Sequence, residues 1–266
     1  MPHTTQDQGG PLDAATLTDA LMRLLRLKTA PVAMQMFERV EDMQAVARLR
    51  RPQGVIHTAD QIVGQAAKLG FTVGITADDL VSAQCSTVLG LAPRSSQWLS
   101  GERLVGVWYA TPEDAAAHQS AMHCAPHGRW QAMAVSPWAS GRLAAPQIVL
   151  VYANPAQMIL LINGLQWSGY KKLEWGAVGE SACADSWGRA LATGEPSLSI
   201  PCFPERRYGG VADDELLLAL TPADLAKAIA GVERIAANGM RYPIPPYGVQ
   251  MDVRAGMAHS YSGKKA

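Results

Sequence analysis

Apolar residues recur at helical spacing in two stretches of the chain. Leucines at positions 17, 21, 24 and 25 predict an amphipathic helix that ends near Lys28. A second apolar stretch, residues 158–162, follows Asn154-Pro155-Ala156-Gln157. Asparagine can cap the first turn, proline suits the first helical position, and glutamine can bond back to the cap. The sequence therefore predicts a second helix that ends before Gly169.

Four short apolar runs lack helical spacing and have the composition of buried strands. They are residues 31–37 (PVAMQMF), 104–109 (LVGVWY), 147–152 (QIVLVY) and 215–220 (ELLLAL). Because helical patterns lie between these runs, the alternation favours an α/β architecture.

Two parts of the chain repeat the same order of features. Thr-Pro-x-Asp helix starts at 111–114 and 221–224 each follow one of the apolar runs. Cys85 and Cys183 each follow a helix-like stretch, a glycine and a strand-like stretch, and each is followed five residues later by another glycine. We therefore expect an internally duplicated α/β fold, in which two pseudo-symmetric halves pack as one domain with a cleft between them.

The same pattern sets the expected boundaries. We expect a flexible N-terminus over residues 1–14, a first half over 15–123, a joint over 124–146, a second half over 147–240, and a Pro-rich segment with the C-terminal tail over 241–266.

Charge and composition exclude several kinds of partner. The 23 basic residues balance the 23 acidic residues without a basic stripe, so nucleic acid is not an expected partner. No apolar run is long enough to cross a bilayer, and residues 1–20 lack the pattern of a signal peptide, so we expect a cytoplasmic protein without a membrane partner. The four cysteines form no CxxC pair and do not indicate a disulfide framework. A homo-oligomer is left open.

Several segments in a fixed order resemble the bacterial and archaeal family catalogued as domain of unknown function 169. The resemblance runs from about Leu25 to Ile235. It implies no particular reaction, because the family name itself records an unknown function. The segments that carry it are LKTAPVAMQMF (27–37), Ala66–Gly70, Cys85 with LGL (89–91), NPAQM (154–158), GESACAD (179–185), ATGEP (192–196), IPCFPERRYGG (200–210) and DDE (213–215).

Cys183 is the strongest candidate for a catalytic residue, with Cys85 as its counterpart in the repeat. A helix capped by Ser181 would place the Cys183 thiol in the first turn, where free amides and the helix dipole favour a thiolate. Glu180 and Asp185 are close enough in sequence to accept a proton or orient a substrate. The alternative is that Cys183 is a small buried residue that packs a helix against the sheet.

The loop that begins at Cys202 is the candidate for substrate binding, and Cys202 is itself one of the candidate residues. Pro204, Gly209 and Gly210 indicate a rigid loop, and Arg206, Arg207 and Tyr208 within it suit a carboxylate or phosphate, since a guanidinium presents a planar fork of donors. The alternative is a structural turn with a surface Arg–Glu pair.

A metal site is a further candidate but is not favoured. His118, His123, Cys124 and His127 are close in sequence, yet Pro126 interrupts the helix that the spacing of His123 and His127 requires. The chain has no GxGxxG, Walker, GxSxG or HExxH motif, so the familiar nucleotide, serine-hydrolase and zinc-protease sites are excluded.

Two hypotheses about function follow. The first is a lyase or isomerase that acts on a small organic (carboxylic) acid by thiol acid–base chemistry in the cleft between the halves, with Cys85 and Cys183 on opposite walls and no cofactor favoured. The second is a protein that binds a metal or an iron cofactor through Cys85, Cys183, Cys202 and His57.

Overall fold

The computed structural model describes residues 13–52 and 54–250. Residues 1–12 of the expected flexible N-terminus and residues 251–266 of the expected C-terminal tail lie outside the described residues. The strands are β1 (Val32–Phe37), β2 (Leu49–Arg50), β3 (Thr72–Ile75), β4 (Ala132–Pro137), β5 (Ile148–Ala153), β6 (Ser197–Ser199) and β7 (Leu216–Leu220). The helices are α1 (Ala14–Leu25), α2 (Val40–Gln44), α3 (Ala59–Leu69), α4 (Ala83–Val88), α5 (Ser96–Ser100), α6 (Pro112–Ala121), α7 (Pro155–Gln166), α8 (Trp187–Thr193), α9 (Phe203–Arg207) and α10 (Pro222–Ala237).

The strands form one mixed sheet with the order β2-β3-β4-β1-β5-β7-β6. Strand β1 is central and pairs on both edges, so that Val32 lies opposite Pro137 of β4 on one side and Leu150 of β5 on the other. Only β2 and β3 pair in parallel among the described strands. One continuous sheet therefore runs through both parts of the chain.

Helices cover both faces of the sheet. Alternate residues of β1 separate into two apolar clusters, with Met34 and Met36 on one face and Ala33 and Phe37 on the other. The first face packs against α3, α4 and α8, and the second packs against α1, α7 and α10. Because both faces are covered, the central strands are apolar almost without interruption, as in β5.

The helix starts have the capping bonds that the sequence predicts. The Gln157 amide N–H donates to the Asn154 side chain at 2.9 Å, and the Asn154 N–H donates to the Gln157 side chain at 2.8 Å. Thr111 and Thr221 each accept the backbone N–H of the aspartate three residues later. These bonds satisfy amides that a helix leaves free at its first turn.

The mixed α/β class is confirmed, and three of the four predicted strands are present as β1, β5 and β7. Residues 104–109 are not a strand of the sheet. They form the end of a short 3₁₀ turn and a tight loop, in which Gly106 has a φ of 77° and Val107 is 70% exposed. An extended buried strand cannot contain either feature.

The two Thr-Pro-x-Asp helices also take different places in the topology. Helix α6 precedes β4, whereas α10 follows β7. Residues 124–146, predicted as a joint, contain the buried strand β4. Across the described ranges, the structure has no helix that is both long and apolar enough to cross a membrane.

Helices α7 and α10 pack backbone to backbone at Gly164 and Gly231. We expect Gly164→Ala to lower the free energy of unfolding by about 1–3 kcal/mol, because the added Cβ would overlap the Ala228 carbonyl and lie 2.6 Å from Val232 Cγ2. Urea denaturation measures this loss. Gly176→Ala is the control, since a Cβ there meets nothing within 4 Å. Equal stability of the two variants would contradict the tight contact.

Candidate functional site

A pocket of about 430 Å³ opens where α3 begins, on the sheet face that α3, α4 and α8 cover. Four separate segments form its walls: the start of α3, the start of α4, the turn before α8, and the start of α9. The lining residues are Ile56, Thr58, Asp60, Gln61, Val81, Ser82, Gln84, Cys85, Glu180, Ser181, Cys183, Cys202, Pro204 and Tyr208.

Cys85 is placed by a short capped helix. Ser82 caps α4 by accepting the Gln84 N–H at 3.1 Å, and Cys85 is the third residue of that helix. Its side chain is half-buried on the pocket wall. A separate 3₁₀ turn at Ala77–Asp79 comes before this helix, so Cys85 lies in a first helical turn.

Cys183 lies in the 3₁₀ turn Ala182–Ala184 and is only 2% exposed. Its thiol donates to the Ser181 carbonyl oxygen at 3.5 Å. A hydrogen bond with the Cys85 thiol, followed by burial, raises the pKa of Cys183 well above its ordinary value. Cys183 is therefore a protonated thiol at neutral pH, directly beside Cys85.

The predicted lowering of the Cys183 pKa is wrong. Ser181 has a left-handed backbone with a φ of 59° and makes no capping bond from its side chain, so Cys183 does not begin an α-helix. The expected placement on opposite walls is also not found, because the thiols of Cys85 and Cys183 interact with each other.

Asp60 is the acidic group that sequence reasoning missed. It follows the Thr58 cap in the first turn of α3 and is only 4% exposed. Burial, and then the charge of Glu205, raise the pKa of Asp60 to about 8. Its carboxyl group is therefore protonated at neutral pH. An aspartate at this position resembles an ordinary dipole-complementing residue, so only the apolar residues around it could have indicated burial.

Cys202 and Glu205 meet at the start of α9. The Cys202 N–H donates to Glu205 Oε2 at 2.9 Å, and both residues are buried. Burial, followed by the charge of Glu205, raises the pKa of Cys202. Burial also raises the pKa of Glu205 to about 7, although the hydrogen bond that Glu205 accepts from the Cys202 N–H lowers it. Glu205 lies behind the pocket wall and next to Asp60.

Of the two acidic candidates near Cys183, only Glu180 lines the pocket. Burial raises the pKa of Glu180, and its Oε2 atom is buried without a hydrogen-bond partner. Asp185 instead accepts the Val178 N–H at 2.8 Å, and it does not line the pocket. Burial raises the pKa of Asp185 as well. Asp185 thus holds the preceding loop, which positions the turn around Cys183.

The arginines of the α9 loop do not line the pocket. Arg206 donates to the backbone carbonyls of Pro201, Ala212 and Glu215, so its guanidinium is already used within the loop. Arg207 is exposed, whereas Tyr208 lies on the pocket wall and is 49% exposed. No lysine, arginine or histidine is found among the described lining residues.

None of the histidines that the structure describes lines the pocket. His57 Nδ1 is 3.1 Å from the Val55 carbonyl oxygen, and His118 Nε2 is 2.8 Å from the Glu180 carbonyl oxygen. Helix α6 ends at Ala121, so His123 and His127 do not share a helical turn. Within the described residues, no three His, Cys, Asp or Glu side chains are grouped in a way that could hold a metal ion.

The fold and the pocket define a mixed α/β protein with a small-molecule-sized site lined by thiols and carboxyl groups. The chain belongs to the family domain of unknown function 169 (DUF169), described as "Uncharacterised ArCR", which it matches over residues 20–231. This match confirms the family resemblance. No curated protein and no solved structure matches the chain.

Among the four cysteines, we expect iodoacetamide to modify Cys85 first in the folded protein at neutral pH. Cys85 is half-buried, whereas Cys183 and Cys202 are buried and their pKa values are raised. Timed labelling followed by peptide mass spectrometry measures the rates, with Cys124, half-buried and outside the pocket, as an internal reference. If Cys183 reacted as fast as Cys85, iodoacetamide would have to reach the buried Cys183 thiol through the pocket, which contradicts the expectation.

Proposed function

We propose that this pocket is the active site of an enzyme, a lyase or isomerase, that transfers protons on a small organic molecule. One observation carries the proposal: the paired thiols of Cys85 and Cys183 and the protonated carboxyl group of Asp60 line the same pocket of about 430 Å³. Acid–base catalysis is most effective when the pKa of the catalytic group is close to the working pH.

The proposed roles follow from exposure and protonation. Cys85 is the more exposed of the two cysteines and, as the thiolate, accepts the substrate proton. Cys183 keeps its own proton, which turns from the Ser181 carbonyl oxygen to the Cys85 sulfur while Cys85 acts as the base. Asp60 is protonated at neutral pH and returns a proton to the substrate. Asp60 lies in α3, Cys85 in α4 and Cys183 in the turn before α8, so the groups come from different elements and can reach different atoms of one substrate.

The charge of the pocket favours a neutral or cationic substrate. Asp60 and Glu180 contribute carboxyl groups to its walls, and none of the described lining residues is basic. A substrate carboxylate would therefore lose its hydration on entering the pocket without gaining an ion pair. Since Arg206 is bonded to backbone carbonyls, the proposed substrate differs from the carboxylic acid expected from the sequence. Ile56 and Val81 at the wall suit an apolar part of the molecule.

We expect Cys85→Ser and Asp60→Asn each to slow turnover by about 10²–10⁴-fold, because each removes one proton-transfer group. The assay measures by NMR how fast carbon-bound hydrogens exchange with deuterated water in a panel of small neutral, cationic and carboxylate molecules. Cys124→Ser, outside the pocket, is the control and retains activity. An active wild-type enzyme whose Cys85→Ser and Asp60→Asn variants keep full activity would exclude this mechanism.

The second hypothesis, a metal or iron-cofactor protein, has one supporting observation. Three of its four predicted ligands, Cys85, Cys183 and Cys202, line the same pocket, whereas His57 does not. Against it, these three described cysteines are not grouped closely enough to hold a metal ion. Metal analysis and an absorbance spectrum of the purified protein distinguish this hypothesis from the first. One equivalent of bound metal that is lost in Cys183→Ser would favour it.

We also propose that the sheet arose by duplication of a three-stranded unit. In support, the orders β1-β4-β3 and β5-β7-β6 both run outward from the centre of the sheet, and β1 pairs antiparallel with β5. In this equivalence α3-β3-α4 corresponds to α8-β6-α9. Cys85 in α4 then corresponds to Cys202 at the start of α9, and not to Cys183.

A further inference from the structure

We propose that Asp60 and Glu205 form a proton-sharing carboxyl pair that moves protons between the pocket and a second, smaller cavity behind it. This inference rests on the proposed proton-transfer function and deepens it. Asp60 lines both cavities, whereas Glu205 lines only the smaller one. The pair therefore lies between the reacting groups of the pocket and the smaller cavity, which extends along α3.

Two glycines bring the backbone segments of Asp60 and Glu205 together. A Cβ at Gly64 of α3 would lie 2.6 Å from the Gly209 carbonyl oxygen. A Cβ at Gly209 would lie 2.7 Å from the Glu205 carbonyl oxygen and 3.0 Å from the Asp60 carbonyl oxygen. Since a larger side chain has no room at either glycine, α3 and the end of α9 touch through their backbones. Asp60 and Glu205 are thereby enclosed on neighbouring turns.

The hydrogen bonds of Glu205 leave one oxygen for this role. Its Oε2 accepts the Cys202 N–H, whereas Oε1 is buried and has no partner in the structure. Glu205 is only 1% exposed, so an unpaired carboxylate oxygen there is costly. In the proposed pair, a proton between Glu205 and Asp60 would satisfy this oxygen. Two carboxylates that share a site keep one proton between them for the same reason.

The smaller cavity provides the other end of the path. Its volume of about 10 Å³ is about that needed by one water molecule. Thr29, Tyr152 and Glu215 also line it. Their side chains carry hydroxyl and carboxyl groups, which are the kind of partner that a buried water requires. Lys68 lines the cavity as well and is exposed, which connects the path to the surface.

Other ionisable groups act on the pair from several elements. The charges of Glu205 and Glu180 raise the pKa of Asp60, whereas the charge of Arg206 lowers the pKa of Glu205. Burial, followed by the charges of Glu205 and Asp60, raises the pKa of Tyr152 well above its ordinary value. The remaining groups that face the pair are Cys183, Cys202, Glu215 and Lys68.

The proposed transfer conserves protons at each step. Protonated Asp60 gives its proton to the substrate and becomes a carboxylate. Since the pair holds one proton, both carboxyl groups are then ionised. A water in the smaller cavity gives a proton to Glu205, and Glu205 passes it to Asp60. That water takes a proton from solvent near Lys68. No oxidant or reductant is required.

The test is a pH titration of the whole protein by carbon-13 NMR, with the side-chain carboxyl carbons of aspartate and glutamate labelled. The signals of Asp60 and Glu205 are those lost in Asp60→Asn and Glu205→Gln. In the wild type we expect both to titrate near neutral pH. In Glu205→Gln we expect the proton affinity of Asp60 to fall by about tenfold or more, because a neighbouring negative charge is removed.

Glu195→Gln is the control, since Glu195 is paired with Lys171 at the surface and lines neither cavity. Titration of Asp60 and Glu205 in the ordinary acid range in the wild type overturns the proposal, and this needs no folded Glu205 variant. An unchanged Asp60 titration in a folded Glu205→Gln also overturns it. The measurement requires no substrate, so a carboxyl pair that titrates near neutral pH in an inactive protein would count against the proposed function alone.

Discussion

The contact between Gly64 and Gly209 is the constraint on which the site depends. It allows α3 and the end of α9 to meet through their backbones, although the two helices are far apart in the chain. Asp60 and Glu205 are buried because of this contact, and burial is the largest cause of their raised pKa values. The raised pKa values of Asp60 and Glu205 thus originate in two residues that have no side chain.

The central strand β1 makes that contact possible. It joins the strands that carry α3 and α4 to those that carry α8 and α9, and all four helices lie on the same side of the sheet or at its edge. The pocket forms where their first turns converge. Each segment of the pocket wall is short. The positions of the lining side chains are therefore fixed by the sheet that carries these segments, and not by the length of any helix.

Patterns of local origin were predictable from the sequence. The strands β1, β5 and β7 and the capped starts at Asn154 and Thr221 follow from side-chain spacing and capping chemistry, which act within a few residues. The prediction of a strand at residues 104–109 is wrong. The composition of this segment suits a strand, but Gly106 turns the backbone and leaves Val107 exposed to solvent. Similarly, Cys85, Cys183, Cys202 and Glu180 were candidates by residue type. Asp60 was not, because its burial depends on α9, which the local sequence does not reveal.

The buried Asp60 carboxyl group also links protons to folding. The pKa of Asp60 is about 8 in the folded protein, whereas its ordinary value is 3.8. At neutral pH the chain therefore takes up a proton at Asp60 when it folds. The stabilisation from that proton is complete below the ordinary value and is lost as the pH rises through the folded value. Alkaline conditions therefore act on the protein twice, since they remove the proton that the site would transfer and weaken the packing that holds it.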